Sequence, residues 1–120
     1  MHVDQFELRL AKVRHRFAIS LESKIRQAVI SIDGMSGDDE KVLDQISHSF
    51  RDLHGICGIG PAVGFTATGA AAEAAERLLA DALREKRGLS EEEALSLKGA
   101  IEQLQLAAES ELRSMYQRGG

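Results

Sequence analysis

Arg51-Asp52-Leu53-His54-Gly55-Ile56-Cys57-Gly58-Ile59-Gly60-Pro61-Ala62-Val63-Gly64-Phe65 is the stretch on which the fold turns. No residue from Gly55 to Ala72 is charged, a run close to the length of a membrane span. Five glycines and Pro61 lie within it, whereas a span needs sustained apolar helix. Pro61 has no amide proton for the carbonyl of Cys57 four residues earlier, so Gly60, Pro61 and Gly64 end or bend a helix there. The stretch therefore reads as the close of one amphipathic helix and the approach to the next.

Upstream, Val42, Ile46, Phe50, Leu53 and Cys57 recur at steps of three and four and form the apolar stripe of that helix. Earlier still, Phe6, Leu10, Val13, Phe17, Leu21, Ile25, Ala28 and Ile32 give one long helix, or two with a break near Ser20. Asp33-Gly34-Met35-Ser36-Gly37-Asp38 supplies turn residues between them and a candidate N-cap. Downstream, Thr66 or Thr68 can cap a third helix whose stripe is Ala71, Ala75, Leu78 and Ala82, with Leu79 and Leu83 beside it. Lys86-Arg87-Gly88 closes that helix, cations near its negative end and glycine as the stop. Ser90-Glu91-Glu92-Glu93 is a capping-box pattern for a fourth, with the stripe Ala94, Leu97, Ile101, Leu104, Ala108, Leu112 and Met115. Four such segments on short connections predict an all-α, up-and-down antiparallel four-helix bundle, one domain over residues 1–120. Arg118-Gly119-Gly120 should fray.

Composition agrees with that reading. The chain has 120 residues, 43% hydrophobic and 28% charged, with 4% aromatic and no Trp, so Ala and Leu must do most of the packing. Cys57 is the one cysteine, which excludes an intramolecular disulfide. Fifteen Lys and Arg against 19 Asp and Glu leave a formal charge of −4 and no long basic tract for a phosphate backbone, so nucleic acid is not expected as a partner. Met1-His2-Val3-Asp4-Gln5 does not open as a secretion signal does, and a cytoplasmic location and a monomer are the expectations.

Few polar residues can carry chemistry. With Val42 as zero on a helical wheel, the apolar arc centres near roughly 40° and His54 falls near roughly 120°, at the border of core and solvent. Ser47, Arg51, Gly55 and Gly58 are its neighbours on the solvent side. Glycine within a helix costs about 1 kcal/mol relative to alanine, so Gly55 and Gly58 beside a border histidine need a reason. One is access for a large reactant, such as the active site of another protein. The other is close helix packing with His54 a mere boundary residue, and spacing does not separate the two. Cys57, near roughly 60°, reads as a small packed residue rather than a reactive thiol. His48, near roughly 240°, and His2 read as solvated surface. His15 lies among Lys12, Arg14 and Arg16, and no pair of His, Cys or carboxylates has metal-site spacing. Gly58-Ile59-Gly60 lacks the strand that a dinucleotide loop requires.

The segment resembles the histidine-containing phosphotransfer domains of bacterial phosphorelays, whose phosphorylated histidine opens a His-x-(Leu or Ile)-x-Gly pattern that runs through small residues to a Gly-Phe or similar pair. His54, Ile56, Gly58, Gly64 and Phe65 match it in register. The resemblance implies that His54 accepts a phosphoryl group from a receiver-domain aspartate, or from a kinase histidine through such a receiver, and passes it to another receiver. It implies as partners response-regulator receiver domains and a hybrid histidine kinase, with Mg²⁺ supplied by the receiver, no cofactor in this chain and no kinase activity of its own. Ser47, Ile59 and Phe65 would then contribute to receiver docking, with the core as the other reading of Ile59 and Phe65. Two departures stand out. The position three after the histidine is often Lys in the family and is Cys57 here, leaving Arg51 as the candidate cation, against its plainer reading as a solvated surface charge. Pro61 is the second. A helical module that binds receiver or kinase domains without being phosphorylated is the alternative. The dimerisation and phosphoacceptor region of a histidine kinase fits less well, because such regions carry an acidic residue after the histidine, where this chain has Gly55.

Overall fold

A computed structural model describes residues 5–37 and 39–117. Four helices follow one another: α1 (Gln5–Ser31), α2 (Glu40–Ile59), α3 (Thr66–Arg84) and α4 (Glu91–Gln117). Short 3-10 turns, Ile32–Gly34 and Pro61–Val63, precede α2 and α3. The stripes close on one core, in which Phe17, Leu21 and Ile25 of α1 meet Ile46, Leu53 and Ile56 of α2, Leu79 of α3, and Leu97, Ile101 and Leu104 of α4. The all-α four-helix bundle expected from the periodicity is the observed architecture. Among the described residues no helix is long and apolar enough to cross a membrane. The expectations for His2, for Asp38 and for residues 118–120 lie outside the described residues.

Several local expectations are corrected. α1 is continuous through Ser20, whose hydroxyl donates to the Phe17 carbonyl at 3.1 Å and so stays within the helix. Phe6 and Val13 belong to the stripe by spacing but are exposed, whereas Leu10 between them packs against the core: Val13 lies well off the direction shared by Leu21, Ile25 and Ala28. Arg14 ties α1 to the α2–α3 connection, its Nε donating to the Val63 carbonyl at 2.8 Å. The α2 cap is Asp39, whose side chain accepts from the Lys41 amide. α2 ends at Ile59, so Pro61 opens the following turn at no cost to a helix, and Gly64 takes φ +93° at the turn's end.

Neither Thr66 nor Thr68 caps α3 with its side chain. Glu111 of α4 does so instead, its carboxylate accepting from the amides of Ala67 and Thr68 and from the Thr68 hydroxyl at 3.2, 2.7 and 2.6 Å. The buried row of α3 is Thr68, Gly69, Ala72, Ala75, Leu79 and Ala82, so Leu79 replaces Leu78 on the core side and Ala71 is half-buried. α3 stops at Arg84, before Gly88. Lys86 takes the left-handed conformation, and the amides of Lys86 and Arg87 bond back to Leu83 and Ala82. Gly88 serves a different end: a Cβ there would lie 2.6 Å from the Gly37 carbonyl oxygen. The α1–α2 and α3–α4 connections meet at this point, where the Leu89 amide donates to the Met35 carbonyl at 2.7 Å. The capping box of α4 forms as expected, Ser90 and Glu93 bonding reciprocally. Hydrogen bonds from Arg87 and then the Ser90 amide hold the Glu93 carboxyl down to about 2.

Candidate functional site

His54 stands on the exposed border of α2 with its side chain 70% accessible. Helical side chains lean toward the N-terminus of their helix, and the imidazole accordingly lies over the Phe50 ring one turn earlier. The two planes are 10° apart, with centroids at 5.9 Å. Phe50 is half-buried rather than core and serves as the platform of the histidine. From α3, Glu76 reaches across so that its Oε1 is 2.6 Å from His54 Nδ1. The Glu76 side chain is only 14% accessible, held between the two helices. A carboxylate accepts and does not donate, so the contact places a proton on Nδ1, and in the neutral ring the lone pair is then on Nε2.

The glycine question is decided by space. A Cβ built at Gly55 or at Gly58 would have no atom within 4 Å. Among the described residues neither glycine serves close packing, and both leave open ground beside the ring. At Gly69, by contrast, a Cβ would come within 2.7 Å of Pro61 Cδ, so that is the glycine through which α3 passes the end of α2.

Cys57 is half-buried and packs against the core. Burial first, then the Glu76 and Glu73 carboxylates, push its thiol up, which makes it a poor nucleophile. Arg51 is exposed and lines a surface cleft with Ser31, Asp44, Gln45 and His48. Arg77, next to Glu76 on α3, donates to Glu73 at 2.7 Å and is a second cation on the α3 side of the site. His48 is exposed with Asp52 as its ion-pair partner, and His15 is exposed on α1. Ser47 is half-buried and Ile59 is exposed. Phe65, at 2% accessibility, is core: its ring packs on Phe17 with centroids 5.1 Å apart, which removes it from any docking surface. Among the described residues no group of three or more His, Cys, Asp or Glu could hold a metal ion.

Sequence reasoning did not reach Glu76 or Phe50 as partners of His54. Phe50 lies four residues before the histidine, so its contact was open to helical geometry. Glu76 depends on the register of α3 against α2, which no spacing within one helix encodes. Comparison of the chain with protein-family models, with curated proteins and with solved structures finds no match.

Proposed function

We propose that this chain is a phosphorelay carrier in which His54 accepts a phosphoryl group from the aspartate of one receiver domain and yields it to another. The observation that supports the reading is an imidazole engaged through Nδ1 by Glu76 and flanked by two glycines whose missing side chains would meet nothing. The Nε2 lone pair attacks the phosphorus of an aspartyl phosphate. The N–P bond forms as the P–O bond breaks, and the aspartate leaves as carboxylate with the bonding electrons. Nδ1 keeps its proton, and Glu76 faces the positive charge that the ring acquires. Onward transfer is the reverse step at a second receiver. The receiver contributes the Mg²⁺ and acidic residues that neutralise the transferring group, so this chain needs to supply little besides the ring. Receivers, with a hybrid histidine kinase upstream, are the partners of this scheme.

Cys57 among carboxylates, where a lysine would help hold phosphate, favours the second reading, a helical module that binds receiver or kinase domains without carrying phosphate. Incubation with a phosphorylated receiver domain and Mg²⁺ separates the two. The carrier gains an acid-labile, base-stable label, and His54→Gln abolishes it. Equal labelling of His54→Gln removes the histidine from the mechanism. Receiver binding with no label in any pairing supports the second reading.

A further inference from the structure

The large hydrophobics left exposed among the described residues are concentrated away from His54, on α1 and α4, with Ile59 as the exception. Two rows share one interval. Leu8, Ile19 and Ile30 of α1 repeat every eleven residues, three helical turns or about 16 Å, and so form a line along the outer side of that helix. Leu95 and Leu106 of α4 repeat at the same interval, and both are more than half exposed. A groove of about 320 Å³ lies between the two helices, lined by Ile25, Val29, Ile30 and Leu112 together with charged side chains, Glu22 and Arg26 of α1 and Glu109 of α4. Charge divides along the same line: α1 carries six Lys and Arg against two Glu, and α4 six Glu against one Lys and one Arg. Laying α1 on another α1 would bring like charges together. Laying it on another α4 brings opposite ones together.

We infer that a second copy of this chain covers the face, as a two-fold dimer in which α1 of each copy lies antiparallel on α4 of the other. α1 and α4 are neighbours within the bundle, so one two-fold axis parallel to the helices makes both pairings at once. The matching intervals let Ile19 meet Leu106 in the register in which Ile30 meets Leu95. That register also sets Arg16 opposite Glu109. Two adjacent 27-residue helices, each about 40 Å long and about 10 Å apart, present on the order of 800 Å² per copy, which is what a specific stable interface buries. The proposed dimer departs from the monomer expected from four closing stripes: those stripes close, and a second, outward row remains on two of the helices. His54, bonded across the α2–α3 contact, stays clear of the interface, so this inference does not depend on the histidine carrying phosphate.

Sedimentation equilibrium on the full chain tests it. The wild-type chain is expected to be dimeric at micromolar concentration. Ile19→Asp and Leu106→Asp should each raise the dissociation constant at least tenfold, with far-UV circular dichroism unchanged. Arg16→Glu should weaken the dimer and Arg16→Glu with Glu109→Arg should restore it, a readout that needs no apolar substitution. A wild-type chain still monomeric at millimolar concentration, a dimer indifferent to both Asp variants, or a charge exchange without rescue overturns the proposal. So does a dimer whose mapped contacts fall on α2 and α3.

Discussion

Two sets of glycines behave in opposite ways in this molecule. Gly69 and Gly88 lie where chain meets chain: a Cβ at Gly69 would strike the ring of Pro61, and one at Gly88 the backbone of Gly37. Gly55 and Gly58, on the open side of α2, would meet nothing. The first set is required by the fold. The second costs the helix stability and meets no packing need among the described residues, and the residue it flanks is His54, which is what the proposed function makes use of.

Substitution by alanine turns this comparison into numbers. Gly88→Ala should be the most damaging, at about 3 kcal/mol, because the atoms it strikes are backbone and the loop-to-loop bond from Leu89 to Met35 must move with them. Chemical denaturation reads it, and an unchanged midpoint would mean that the two loops are not in contact in solution. Gly69→Ala should lose less, about 1–2 kcal/mol, since alanine's better helix propensity offsets part of the clash with Pro61. A stabilised Gly69→Ala variant would show that Pro61 yields freely. Gly55→Ala and Gly58→Ala should go the other way, each stabilising by up to about 1 kcal/mol. With bulkier side chains, Gly55→Leu and Gly58→Leu should keep the melting temperature but slow labelling of His54 at least tenfold. Should either leucine variant destabilise the bundle, or leave the labelling rate as it was, the open ground at the ring would lose its functional reading.

How far the sequence reached depended on how local each cause is. The stripes of α2 and α4 were read correctly at Val42, Ile46 and Leu53 and from Leu97 to Met115, where polar residues on the other side of the helix set the phase. α3 was rotated, because Ala71, Ala72, Ala74 and Ala75 are small and apolar nearly all round, and alternation fixes no phase there. Steps of three and four admit Phe6 and Val13 to the stripe of α1, but such steps span a wide arc, and of the first three positions only Leu10 packs against the core. Phe65 enters as a docking candidate only through the family resemblance, with core packing as its other reading, and it is buried because the turn after Pro61 folds it back onto Phe17. At the site, the border position of His54 was legible from its angle on the helix. Its bond to Glu76 was not, since that follows from how two helices are aligned along each other.

That alignment is held from a distance. The helix that carries Glu76 has its first turn tied by the carboxylate of Glu111, near the far end of the chain, through three hydrogen bonds. Loss of α4 from residue 111 onward would leave those amides and a fully buried threonine hydroxyl unanswered, and α3 would be free to shift against α2. The aim of the imidazole at position 54 is thus governed in part by a residue more than fifty places further on, which makes the last turns of the molecule part of how the ring at the candidate site is held.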